Sequence, residues 1–309
     1  MEKKQKNILT KRLSPEAKNQ SLMSFVKRVH DMVEHSDIEK YRQSQSQVGA
    51  LLKNTKDVKI EEVFIEEMEA EWVSVERAHM KKYVILYCHG GGYSTGSRLY
   101  ARSLTTKLAT STSMDVLCFD YRLSPENPYP AALLDAMKAW DYLMLLGYGA
   151  RDVIIAGDSA GGNLALSLVL KLKEQKRILP RGLVLLSPWT DLTSSGKTHQ
   201  TRKEVDPVLD EEYLQTMIQN YASGEELDNP YISPLFGDMK GFPPTYIQVG
   251  DNEILLSDAT RLHKKLIKEN ISVKIDVFKG MWHVFQMSPF KTAYGAMDKC
   301  AEFIFDICR

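Results

Sequence analysis

Residues 157–161 read Gly-Asp-Ser-Ala-Gly, and they lie where an apolar run (DVIIAG, 152–157) meets a helical pattern opening GNLALSLVL. A serine at the centre of G-x-S-x-G on a strand–turn–helix junction has the setting of a nucleophile. The turn is so sharp that its flanks tolerate almost no side chain, which accounts for Gly157 and Gly161 and lifts the Ser159 hydroxyl clear of the strand. The following helix would present free N–H groups and its positive dipole end to developing negative charge. The pentapeptide alone is weak evidence, since a glycine-rich turn without chemistry has the same composition; its place between strand and helix gives it meaning.

A second glycine cluster supplies what such a nucleophile needs. After the run YVILYC (83–88) comes His89-Gly90-Gly91-Gly92-Tyr93. Three consecutive glycines are entropically costly, and they answer a need for unusual dihedrals or close backbone approach. The N–H groups of Gly91 and Gly92, with that of Ala160 beside the serine, are candidate donors to a developing alkoxide. A dinucleotide loop would need G-x-G-x-x-G, but counting from Gly90 the sixth position is Thr95; a P-loop would need G-K-[ST], which is absent. His89 opens the loop and reads as a structural hydrogen-bonder.

The base is expected at His283, five residues beyond Phe278 at the end of the last strand-like run and six before Pro289. His263 sits in the charged pattern RLHKK, and His30, His35, His79 and His199 fall outside the core runs. The acid comes from VGDNEILLSD (249–258), which carries Asp251, Glu253 and Asp258 just past a strand end. Position alone leaves the choice among them open. Asp258 also reads as a helix cap for the run to Lys268. Asp120, Arg122 and Glu126 read as a hydrogen-bonded turn bracing the glycine loop, and Asp158 as a tie between loops.

Positioning these groups requires a largely parallel sheet. Short apolar runs at 83–88, 115–121, 152–157, 182–187, 244–250 and 273–278 alternate with helical stretches over 98–110, 131–146, 161–173, 258–268 and 290–307. Buried strands alternating with helices predict an α/β architecture with both sheet faces covered. Partial alternation around 58–68 and 71–75 predicts a paired antiparallel edge. The spacing of Leu22, Phe25, Val26, Val29, Met32 and Val33 predicts an amphipathic helix over 14–35. A long interval from 189 to about 240, with a helical piece over 210–221, interrupts the alternation and reads as a lid.

Forty basic and forty acidic residues cancel, so no net field favours nucleic acid or a membrane surface. No apolar run of about 18 residues occurs, and no h-region follows the basic start. Cys88, Cys118, Cys300 and Cys308 are far apart, and no H-E-x-x-H is present, so neither a disulfide framework nor a metal site is expected. A reduced, cytoplasmic chain is the expectation.

Together HGGGY (89–93), DYRLSPENPYPAALLDA (120–136), GDSAGGNLAL (157–166), SPWTDL (187–192) and GMWHVF (280–285) resemble the blocks of the bacterial hormone-sensitive-lipase-like esterases, in that family's order. The resemblance covers roughly residues 55 to 309. It implies an α/β-hydrolase fold with an eight-stranded, mostly parallel sheet and a helical cap. The cap would come from residues 1–45 and an insertion over 189–225, and the core from 46–188 and 226–309. It implies a cofactor-free serine carboxylesterase acting on a small-molecule ester, with no nucleic-acid or membrane partner, and it is compatible with a homodimer. Matched residue by residue, Ser159 is the nucleophile, His283 the base, and Gly91, Gly92 and Ala160 the oxyanion donors. The family's acid is usually Asp, lies about thirty residues before the base and has an apolar residue two positions on. Glu253, thirty residues before His283 and followed by Leu255, matches that spacing, so a Ser-His-Glu triad is expected where Asp is the commoner choice. Amide, peptide or lactone hydrolysis on the same triad is an alternative. So is a binding protein of this fold; plant gibberellin receptors resemble the family but lack the histidine that this chain has at position 283.

Overall fold

A computed structural model describes residues 23–24, 38–50, 57–76 and 82–309. Helix α1 (Ile38–Ala50) precedes the antiparallel pair β1 (Val58–Ile65) and β2 (Met68–Val75). The apolar runs then become β3 (Val84–Cys88), β4 (Asp115–Phe119), β5 (Val153–Asp158), β6 (Gly182–Leu186), β7 (Thr245–Gly250) and β8 (Val273–Phe278). They form one eight-stranded sheet in the order β1-β2-β4-β3-β5-β6-β7-β8. Strand β2 runs antiparallel to both β1 and β4, and every other pairing is parallel. This is the expected antiparallel edge on a parallel sheet.

Strands β3, β5, β6 and β7 are buried along their whole length because helices cover both faces. These are α2 (Arg98–Thr112), α3 (Ala131–Leu145), α4 (Ala160–Glu174), α7 (Leu256–Lys268) and α8 (Lys291–Cys308). Side chains alternate along a strand, so β3 feeds two separate cores. Val84, Leu86 and Cys88 join Trp140 of α3 and Leu164 and Leu168 of α4. Ile85 and Tyr87 join Leu104 and Leu108 of α2 and Met297 and Ile304 of α8. Each such aliphatic side chain contributes about 1.5–3 kcal/mol on burial, so the loops at the strand ends stand on a rigid base.

Between β6 and β7 the interrupting segment carries α5 (Thr198–Thr201) and α6 (Glu211–Ala222). Asp210 caps α6 by accepting the N–H of Tyr213, and Glu211 and Glu212 add negative charge to its first turn. The amphipathic helix expected over 14–35 lies outside the described residues, apart from Met23 and Ser24, which are helical. One expectation needs correction. Helix α7 starts at Leu256 with Leu255 as its N-cap, so Asp258 lies within the first turn and does not cap it. Its carboxylate is fully buried and accepts the N–H groups of Thr190 and Asp191 (2.9 and 3.0 Å). Among the described residues no helix is long and apolar enough to cross a membrane.

Candidate active site

The turn from β5 into α4 shows why its glycines are required. A Cβ on Gly161 would lie 2.0 Å from the carbonyl oxygen of Cys88, and one on Gly157 would lie 2.4 Å from that of Gly161. Ser159, between them, sits at φ 52°, ψ −120°, a conformation that L-residues hold only when their surroundings impose it. Its N–H donates to Leu186 O (2.9 Å), and its carbonyl accepts the N–H of Trp189 (3.0 Å). The backbone is thus fixed on both sides of Ser159, and its Oγ faces His283.

His283 Nε2 is 2.9 Å from Ser159 Oγ, and Nδ1 is 3.1 Å from Glu253 Oε2. A carboxylate can only accept, so Nδ1 carries the proton and the Nε2 lone pair faces the serine hydroxyl. The other Glu253 oxygen, Oε1, accepts from the hydroxyl of Ser187 (2.7 Å) and the N–H of Gly250. Burial pushes His283 toward the neutral form, yet its hydrogen bond and attraction to Glu253, with Asp206 and Asp158 farther off, hold its pKa above the ordinary imidazole value. The three residues therefore form one continuous hydrogen-bonded chain.

Beside it the glycine loop adopts left-handed backbone, with φ +112° at Gly91 and +60° at Gly92. Direction is imposed on its N–H groups through their peptide partners. The Gly90 carbonyl accepts from His89 Nδ1 (2.8 Å), which fixes the plane carrying the Gly91 N–H. The Gly91 carbonyl accepts from Ser94 N (3.1 Å), Thr95 N (2.8 Å) and the Thr95 hydroxyl (3.0 Å), which fixes the plane carrying the Gly92 N–H. Among the described residues no backbone carbonyl takes the N–H of Gly91, Gly92 or Ala160. His89 stacks on Tyr121, whose hydroxyl donates to His89 O (2.9 Å), so Tyr121 braces the loop; the charged side chains of that turn bond elsewhere, Asp120 to Arg98, Arg122 to Asp135 and Glu126 to Arg42. From above, α6 closes over it: Tyr221 stacks on Tyr93 at 3.6 Å, and a Cβ on Gly92 would lie 2.7 Å from Met217 Cγ.

The remaining acids are accounted for. Asp158 accepts from the Tyr87 hydroxyl (2.8 Å) and Gly90 N (3.0 Å), tying the serine turn to the glycine loop. Burial pushes its pKa up to about 6. Asp251 turns away to accept the N–H of Gly280 (2.6 Å). Asp258 meets His199 Nε2 at 3.0 Å, so His199, set aside in the sequence as outside the core runs, is a buried structural partner.

Two neighbours of Glu253 were not singled out in the sequence, although Ser187 opens the SPWTDL block. Ser187 bonds it directly and also accepts the N–H of Val284, next to His283 (3.2 Å). Asp206, buried in the segment before α6, accepts from Ile254 N (2.8 Å) through Oδ2 and from Val208 N and Leu209 N through Oδ1. Burial pushes Asp206 up to about 6 as well. Among the described residues no group of three His, Cys, Asp or Glu side chains is placed to hold a metal ion.

Comparison with known proteins extends this picture. A family model described as alpha/beta hydrolase fold matches residues 85–287. An esterase of Acinetobacter venetianus is 40% identical over 223 residues, covering 71% of this chain and 74% of the relative. An acetyl-hydrolase of Streptomyces hygroscopicus is 38% identical over 216 residues, covering 70% and 72%. The crystal structure of an esterase from the bacterial hormone-sensitive lipase family superposes with a TM-score of 0.86 at 29% identity, over 95% of this chain and 98% of that one. On sequence and fold together, the chain belongs to the α/β-hydrolase family, in its bacterial hormone-sensitive-lipase-like branch.

Proposed function

We propose that this chain hydrolyses carboxylic esters with small, short-to-medium acyl groups through an acyl-enzyme on Ser159. The observation that carries the reading is the uninterrupted chain from Glu253 Oε2 through both ring nitrogens of His283 to Ser159 Oγ. In the reaction Ser159 Oγ attacks the ester carbonyl while His283 Nε2 takes its proton. The imidazolium that forms is stabilised by Glu253, which also keeps the ring in the working tautomer. Negative charge on the former carbonyl oxygen is received by the N–H groups of Gly91, Gly92 and Ala160 at the start of α4. Collapse expels the alcohol, which leaves with the proton from His283. Water then enters, gives its proton to His283 and releases the acid by the same steps in reverse order. Every proton and charge is handled by this chain's own groups, so the proposal requires neither metal nor cofactor.

The names of the two curated relatives, an esterase and an acetyl-hydrolase, support ester chemistry and small acyl groups. The closeness of α6 to the glycine loop, with Met217 against Gly92, supports a confined acyl site. A panel of p-nitrophenyl esters from acetate to palmitate, run beside matched anilides and lactones, tests the reading. Ester turnover highest between about C2 and C8 is expected; anilide turnover exceeding ester turnover would replace it with an amidase.

A further inference from the structure

Arg42 of α1 uses every N–H it has. Nε donates to the Ser94 carbonyl (2.8 Å) and Nη2 to the Ser124 carbonyl (2.8 Å). Nη1 and Nη2 hold both oxygens of Glu126 (3.0 and 2.9 Å), and Nη1 also donates to Glu39 (2.6 Å). One turn further along α1, Gln45 Oε1 accepts the N–H of Gly96 (3.0 Å). Ser94 and Gly96 bracket Thr95, and the N–H groups of Ser94 and Thr95 are those that hold the Gly91 carbonyl. Ser124 completes the ring, with its N–H and hydroxyl both donating to Tyr93 O (2.9 and 3.1 Å).

This arrangement answers a physical need. Glycines carry no side chain to anchor them, so the direction of the Gly91 and Gly92 N–H groups has to be imposed by partners. His89 and the 94–96 turn impose it from within the loop. Arg42 and Gln45 hold that turn from outside, on a separate helix. Over residues 38–47 of α1 the only apolar residues are Ile38 and Tyr41, so this stretch meets the turn mainly through polar contacts. A lysine could not substitute, since it has three donors without the planar fork that reaches two carbonyls and a carboxylate together.

We infer that Arg42, assisted by Gln45, is a positioning residue for the oxyanion N–H groups, and that α1 acts as an external splint on the glycine loop. The inference rests on the esterase reading of Ser159. A splint acts on the tetrahedral intermediate more than on bound substrate, because the donors must lie at about 2.7–3.1 Å from the oxygen only once it becomes an oxyanion.

The test uses the full-length chain with Arg42→Ala, Arg42→Lys and Gln45→Leu. Active sites are titrated with a fluorophosphonate, so that rates are per competent Ser159 and any misfolded fraction drops out. In Arg42→Ala, kcat per site on p-nitrophenyl butyrate is expected to fall about tenfold or more with KM changed less than about threefold. The affinity for butylboronic acid, which forms a tetrahedral adduct on the serine, should fall by the same factor as kcat/KM. Arg42→Lys should resemble the alanine variant, and Gln45→Leu should lose less. Millimolar guanidinium should restore part of the Arg42→Ala rate and none of the Gln45→Leu rate. A kcat per titrated site equal to wild type in both Arg42 variants, or a fall in KM terms alone, overturns the inference. Should Arg42→Ala fail to fold, the lysine and Gln45 variants decide it by the same two readouts. If wild type itself is neither labelled at Ser159 nor active on the ester, the esterase reading fails instead.

Discussion

Glu253→Gln removes one charge and almost no volume, and the structure says which way the new amide must point. Oε1 accepts two hydrogen bonds, one from the Ser187 hydroxyl and one from the Gly250 backbone N–H. The backbone donor cannot reverse its polarity, so the glutamine oxygen has to stay there and the NH2 group has to face His283 Nδ1. An NH2 can only donate, so Nδ1 loses its proton and Nε2 gains one. The ring then presents Nε2–H to Ser159 Oγ, which is the tautomer that cannot accept the serine proton. Turning the amide over instead would set its NH2 against the Gly250 N–H, leaving two buried donors in collision at about 1–3 kcal/mol or more. Losing both the tautomer and the stabilisation of the imidazolium is expected to lower kcat about a thousand- to ten-thousandfold. The assay is initial rates on p-nitrophenyl butyrate with active-site titration, beside thermal unfolding to establish that the fold persists. Asp251→Asn, which disturbs one part-buried hydrogen bond from Gly280, should stay within about tenfold of wild type. A Glu253→Gln variant within tenfold of wild type, or one less impaired than Asp251→Asn, would refute the reasoning.

Other outcomes follow from the same contacts. Ser159→Ala should abolish ester turnover and covalent labelling by an organophosphate, while a chelator should leave wild-type turnover unchanged; loss of activity to the chelator would point to a metal enzyme. Gly161→Ala places a Cβ 2.0 Å from Cys88 O and is expected to cost about 3 kcal/mol in denaturant unfolding; an unchanged midpoint would show that the turn can relax. Acid inactivation should track protonation of His283, whose pKa Asp206 helps to raise. Asp206→Asn should therefore move the acid limb of kcat/KM to lower pH. The shift should be modest because Asp206, pushed up to about 6 by burial, is itself partly protonated there. A limb that moves to higher pH would show that Asp206 does not act on His283 through its charge.

Local pattern was enough to locate the strand–turn–helix around Ser159 and the glycine loop, because steric need writes itself into adjacent residues. Gly157 and Gly161 are glycines since carbonyl oxygens occupy the space a Cβ would take. The three acids of 249–258 could not be separated that way. Their difference lies in where each carboxylate finds a donor: Glu253 at His283, Asp251 at Gly280, Asp258 at Thr190, Asp191 and His199. Such donors lie up to 68 residues away in the chain and leave no periodic trace. Asp206, Arg42 and the role of Ser187 within its block were illegible for the same reason. Each is an ordinary polar residue in its own segment and becomes special only when the fold brings a distant backbone group against it.

The ends of the parallel strands have a wider consequence. The N–H of Ser159 donates to Leu186 O, that of Ser187 to Gln248 O and that of Asp251 to Phe278 O, so the hydrogen-bond ladder continues one rung beyond β5, β6 and β7. Ser159, Ser187 and the loop that carries Glu253 thus start from neighbouring rungs, spaced by the pitch of the sheet at about 4.8 Å per strand. The separation of these three backbone points is inherited from the sheet, and only the short steps from Asp251 to Glu253 and from Phe278 to His283 depend on the connections. Segments farther along, beyond Glu253 and His283, can then be lengthened, shortened or exchanged without moving the contacts of Ser159, His283 and Glu253. On the proposed reading, such a scaffold separates reactivity from selectivity: the outer segments can change while Ser159, His283 and Glu253 keep their spacing.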